Sequence, residues 1–163
     1  MDFPNILTAI AGFAITLAGF SGVVVAFGSR SEGTWHPGDR LRLGFLMEAS
    51  LTAGGFSLLA LILYSGLENK SFAWAISSGL WSGFMMYSLY SSRQQIQENI
   101  EHHNDIDRVA NRIVFLIFAA LIVLQLANIY FWWAFTPLLT ALIFNLVGAA
   151  MQFTRLIRSA FNG

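Results

Sequence analysis

The chain has 163 residues, of which 56% are hydrophobic and 11% charged, with no cysteine and a formal net charge of zero; this is too apolar for a soluble domain of its size. The missing cysteine excludes disulfides, thiolate metal sites and cysteine nucleophiles. Too few residues lie outside apolar runs for a separate soluble domain, so composition predicts one all-α, polytopic membrane domain over residues 1–163.

Met1-Asp2-Phe3-Pro4 is an acidic start without the basic segment of a cleaved signal peptide. The apolar run behind it is expected to stay as a first span over about residues 5–27, with Pro4 pre-set for the first helical turn. Small residues crowd this span. Thr8, Gly12, Thr16 and Gly19 form one stripe and Ala11, Ala14, Ala18, Ser21 and Gly22 an adjacent one, which permits close helix approach over a wide face. Gly19-Phe20-Ser21-Gly22 has the GxSG form and resembles the nucleophile motif of rhomboid proteases. A serine nucleophile needs an imidazole within reach, and His36, His102 and His103 all fall between spans. Helix packing is therefore the expected role of these residues, and no catalytic residue is assigned.

The segment Gly28 to Asp39 reads as a loop carrying Arg30, Glu32, Trp35 and His36. Pro37-Gly38-Asp39 is its exit, with proline at a helix start and an acid in the first turn. The second span, about residues 43–64, contains Glu48 roughly two turns inside an apolar run. A carboxylate is tolerated there when it faces protein, water or a cation. Gly44, Glu48, Thr52 and Gly55 recur at helical spacing, so this stripe is expected to meet neighbouring protein. Three roles are open to Glu48: part of a permeation path or proton relay, partner to an arginine such as Arg30 or Arg42, or a protonated hydrogen-bonding group between helices.

Past Glu68 and Lys70, a third span is expected over about residues 72–90, where Ala75, Gly79 and Gly83 are four apart with Ser78 and Ser82 alongside. Ser91 to Arg112 is polar but keeps Ile96, Ile100, Ile106 and Val109; it reads as a cytoplasmic helical hairpin capped at Asn104 or Asp105. Glu98, Glu101, His102, His103, Asp105 and Asp107 crowd its tip. The ferritin-type Glu-x-x-His spacing is absent, and a solvated tip accounts for the charges, so neither metal nor cofactor is expected; two histidines also leave a pH response open.

The apolar run from Ile113 to Ile157 far exceeds what one ~30 Å hydrocarbon core needs, so it must turn back. Asn128, Tyr130, Phe131, Trp132, Trp133, Phe135 and Pro137 mark that turn, because aromatic residues collect at headgroup level and proline opens the next helix. The fourth and fifth spans then cover about residues 110–129 and 137–157. Gln125, Asn145 and Gln152 are their embedded polar groups, with interhelical hydrogen bonding as the default role.

Five spans place Arg30, Arg40, Arg42, Arg93, Arg108, Arg112, Arg155 and Arg158 on one side and only Lys70 on the other. The positive-inside rule makes the arginine side cytoplasmic, with the N-terminus outside and the C-terminus inside. Arginine suits bidentate contact with phosphate, so Arg30, Arg40, Arg42, Arg93, Arg108 and Arg112 are candidates for lipid headgroups or for a nucleotide or nucleic-acid ligand. Six acids on the same side leave only a small positive excess there.

Gly19 to Gly28 (GFSGVVVAFG), followed by Trp35, Asp39, Arg40 and Arg42, resembles a segment of uncharacterised small bacterial polytopic membrane proteins. The all-membrane architecture is also similar in kind to membrane effectors of phage-defence systems. Together these readings lead to the expectation of a non-enzymatic, homo-oligomeric channel or pore of the bacterial inner membrane, gated from the cytoplasm. Glu48, Thr52, Gln125, Asn145 and Gln152 are its intramembrane polar groups, and Gly12, Thr16, Gly19, Gly22, Gly44, Gly55, Gly79 and Gly83 its helix contacts. The alternative is a non-conducting scaffold that binds a cytoplasmic protein through its hairpin.

Overall fold

The computed structural model describes residues 2–32, 37–102 and 108–162, and their regular structure is entirely helical. Five α-helices follow one another: α1 Phe3–Glu32, α2 Pro37–Gly66, α3 Lys70–His102, α4 Arg108–Ala127 and α5 Phe135–Asn162, with a π-helical turn at Asn128–Trp132 between the last two. Stretches long and apolar enough to cross a membrane lie in α1 (Phe3–Val23), α2 (Gly38–Gly66), α4 with the π turn (Asn111–Trp132) and α5 (Phe135–Ser159). α3 falls below that measure because Ser71, Ser77, Ser78, Ser82, Ser88, Ser91 and Ser92 dilute its apolar residues. Phe13, Ile15, Ile62, Leu116 and Val123 are each 63–69% exposed, an outward-facing surface that hydrocarbon solvates and water does not.

One boundary differs from the sequence expectation. The loop expected from Gly28 to Asp39 is helical through Glu32, and helix resumes at Pro37. Only residues 33–36 separate α1 from α2, so Trp35 and His36 lie outside the described residues. Ser29, Ser31 and Gly33 suggest a loop, but nothing before Gly33 forbids the α conformation, and helix once nucleated propagates at little cost. In the hairpin segment α3 continues to His102 and α4 begins at Arg108. His103, Asn104, Asp105 and Asp107 lie outside the described residues, as do the side chains of Glu98, Glu101 and His102.

By contacts the chain divides into two compact units, Met1–Leu61 with Leu142–Gly163, and Ile62–Ala141. In the first unit α2 runs antiparallel to both α1 and α5. An added Cβ on Gly54 of α2 would come 3.2 Å from Ala14 Cβ of α1, and farther along Ser21 Oγ lies 2.8 Å from Met47 Sδ. Between α2 and α5, Leu46, Ala149 and Leu156 form a buried cluster flanked by Leu17, Leu43, Ala49 and Phe153. Phe20 meets Phe153 at 6.2 Å between ring centroids. Lipid tails are as apolar as these side chains, so close packing and hydrogen bonds, not burial from water, hold such helices together.

In the second unit α3 and α4 are antiparallel. Ser78 bonds Asn128, an added Cβ on Gly79 would sit 3.5 Å from Ile129 Cδ1, and at the far end the Arg93 guanidinium lies 4.3 Å over the Phe115 ring. The turn expected around residues 128–137 is built on Asn128. Its Nδ2 donates to Ser78 Oγ at 2.9 Å and Ala134 O at 3.0 Å, its Oδ1 accepts from Ala134 N at 2.9 Å, and its carbonyl accepts from Trp133 N at 2.9 Å. That bonding holds Trp133 in the left-handed region, at φ 47°, which costs a non-glycine residue about 1 kcal/mol. Gln125 Nε2 adds a 2.6 Å bond to Pro137 O. Around the turn Trp74 stacks on Tyr64 and meets Phe135, and Phe72 meets Trp133 edge-on. Tyr130 and Phe131 are exposed beyond 75%, as expected of side chains at headgroup level.

Candidate functional site

The polar groups of the first unit separate by helix face. On α2, Leu46, Ser50, Ala53, Ser57 and Ala60 follow one another at steps of four and three and are all buried. On α5, Asn145, Ala149, Gln152 and Leu156 make the matching face, with Gln152 half-buried and the rest enclosed. Leu46 packs with Ala149 and Leu156. One turn along α2, antiparallel pairing brings Ser50 to the α5 stretch between Asn145 and Gln152.

Several hydroxyls in these helices are satisfied by their own backbone. Thr8, Thr16, Ser57, Ser82, Thr140 and Thr154 each donate to the carbonyl four residues earlier. Ser50 makes no such bond: its enclosed Oγ, like both amide atoms of Asn145 and Oε1 of Gln152, has no partner among the described residues. In the second unit Ser77 Oγ and Trp81 Nε1, one turn apart on α3, are enclosed in the same way. Gln125 and Asn128 are both fully buried. Asn128 is bonded through both of its amide atoms and Gln125 through Nε2, while Gln125 Oε1 has no partner among the described residues.

Glu48 is half-buried on the flank of the α2 face that carries Ser50. Within one chain the stripe of Gly44, Glu48, Thr52 and Gly55 is not uniformly buried. Thr52 is enclosed, whereas Gly44 and Gly55 are exposed and a Cβ at either would meet nothing within 4 Å. The buried α2 face is displaced from it by two residues. The reason is chemical: serine and alanine at 50, 53, 57 and 60 are small enough to let helices approach closely.

Other proposed helix contacts are placed as follows. An added Cβ would meet nothing within 4 Å at Gly12, Gly19, Gly22 and Gly83, while Gly79 approaches Ile129. Thr16 is exposed with its hydroxyl on Gly12 O. Gly54, which the stripe reading passed over, makes the tightest approach, to Ala14 Cβ and Ala11 O. The available signal was the second small stripe of α1, Ala11 and Ala14, which is the buried one. Ser21 of the GxSG sequence is buried, with Oγ 2.6 Å from Ala18 O; it is packed against α2.

Among the arginines, Arg40, Arg93 and Arg112 are exposed, and Arg42 is paired with Asp39 at 2.7 Å. Asp39 also accepts from Ser159 Oγ at 2.8 Å, joining the start of α2 to the end of α5. Arg30 and Arg108 lie in helices, with side chains outside the described residues. No group of three His, Asp or Glu among the described residues is arranged to hold a metal ion.

The site therefore combines neutral dipoles enclosed along α2 and α5 with one carboxylate that stays partly accessible in a helix apolar enough to cross a membrane. It can hydrogen-bond and attract cations. Comparisons with protein-family models, with curated proteins and with solved structures find no match to this chain.

Proposed function

We propose that the protein is a homo-oligomeric channel of the bacterial inner membrane, cation-favouring and gated from its cytoplasmic side. The observation that carries this reading is the position of Glu48: α2 is apolar enough to span from Gly38 to Gly66, yet this carboxylate, about three turns in, is only half-buried. Glu48 has an interaction within the chain, and the part of the carboxylate left accessible is not solvated by acyl tails; a water-lined surface shared with further copies suits that part. Thr52, being enclosed, would support the wall of such a path and not its lumen.

Five crossings fit this reading. α2 and α5 are antiparallel, so α3 and α4 between them either both cross or both fail to, and α4 is the most apolar helix of the chain. α3 accompanies α4 from Ser78 opposite Asn128 to Arg93 over Phe115, about 22 Å at 1.5 Å per residue. With five crossings the arginines gather on one side, which sets the N-terminus outside and the C-terminus in the cytoplasm. Arg40, Arg93 and Arg112, exposed on that side, are where an anionic lipid headgroup, nucleotide or partner protein would act on the gate.

The test is ion flux through liposomes containing the purified protein, comparing the parent with Glu48→Gln. Selectivity for cations should fall several-fold in the variant. If the parent carries no current under any applied voltage or lipid composition, the channel reading is wrong and a non-conducting scaffold replaces it.

A further inference from the structure

We infer that each subunit holds an internal water site between α2 and α5, formed by Ser50 and Asn145 within the first unit. The inference deepens the channel reading by naming a hydrated element of the membrane region, and it concerns the inside of one chain, separate from the Glu48 surface.

Three polar atoms set the chemistry: Ser50 Oγ, Asn145 Nδ2 and Asn145 Oδ1 are enclosed and have no hydrogen-bond partner among the described residues. Asn145 is 1% exposed and Ser50 is fully buried. An unpaired amide in an apolar interior is costly, by several kcal/mol against hydrocarbon, and here two orphaned side chains occupy facing helices at one level. The register is fixed on the cytoplasmic side of them by Leu46 against Ala149 and Leu156 and by Ser159 on Asp39.

The backbone offers Ser50 an easy alternative that it does not take. Ser57, two turns later on the same face, donates to Ala53 O at 2.7 Å. Ser50 Oγ is left without that bond, and is therefore available to a third party. The orphaned set contains both donors and acceptors and no charge, which is the complement of water: a bare cation would satisfy the oxygens and be repelled by the Asn145 NH2, and an anion the reverse. Gln152 lies seven residues beyond Asn145 on the same α5 face, about 10 Å toward the C-terminal end. Its enclosed Oε1 is a further acceptor without a partner among the described residues, too far from Asn145 to share the same water. Asn128 supplies the contrast, since it is equally buried but bonded through both amide atoms.

The experiment uses the full chain in lipid nanodiscs with 15N-asparagine labelling, recording cross-peaks between side-chain amide protons and water. Asn145 is identified by the peak lost in Asn145→Ser, and by its relaxation near a spin label at position 152 should that variant not fold. Asn145 should show a water cross-peak comparable with exposed Asn5 and Asn69, while Asn128 shows none. An Asn145 as silent toward water as Asn128 would overturn the site. Water contact at Asn145 in a protein that conducts no ions keeps this site and discards the channel; conduction with a dry Asn145 does the opposite.

Discussion

Ser159 Oγ donates to Asp39 Oδ2 at 2.8 Å while Asp39 Oδ1 holds Arg42 Nη1 at 2.7 Å. One carboxylate in the first turn of α2 thus fastens the last turns of α5, the element that carries Asn145 and Gln152. Asp39→Ala should loosen that end while leaving the helices packed. The expected loss is about 1 kcal/mol or less, because the pair is partly solvated, with faster amide hydrogen exchange over residues 155–159. Unchanged exchange there would mean that the apolar contacts of Leu156 and Phe153 suffice.

Gly54 and Gly55 are adjacent and opposite in consequence. A side chain at Gly54 meets Ala14 at 3.2 Å, and one at Gly55 meets nothing within 4 Å. Gly54→Leu should destabilise by about 1–3 kcal/mol through overpacking, and Gly55→Leu by no more than about 0.5 kcal/mol. Thermal unfolding of the two variants in detergent, measured side by side, decides the point.

Asn128 closes the reversal between α4 and α5 with bonds to Ser78, Ala134 and Trp133. Asn128→Leu leaves the Ala134 N–H without its acceptor and should cost about 1–3 kcal/mol. Asn128→Asp keeps that acceptor and should cost less. Denaturation midpoints in which the two are equal would mean that the turn is held by its aromatic contacts.

The reach and the limit of the sequence show at particular residues. Helical periods, the proline at 37 and the aromatic run at 130–135 were enough to place four apolar helices and the turn before α5, because length, capping and interfacial chemistry are local properties. Which face of a helix packs is not local. The glycines at 12, 19, 44 and 55 looked like contact positions and face outward, whereas Ser50 and Ser57, chemically unremarkable in sequence, lie on the buried face of α2. Asn145 could be seen as an embedded amide, but that both of its amide atoms lack a partner among the described residues depends on how the helices pack around it.

The absence of cysteine permits a clean topology map. Single cysteines at Glu68 and Phe131 should react with a membrane-impermeant reagent from one side, and cysteines at Gln95 and Arg158 from the other. Positions 68 and 95 labelling from the same side would mean that α3 does not cross and, since α2 and α5 are antiparallel, that α4 does not either, leaving only the hairpin between them on the other side from the one inferred.

The most direct measurement is the reversal potential of purified protein in planar bilayers under a salt gradient, for the parent and for Glu48→Gln. The account predicts discrete, cation-selective currents in the parent and a reversal potential displaced toward zero in the variant. Bilayers that remain silent with correctly folded protein at every voltage, or a variant indistinguishable from the parent, would contradict it.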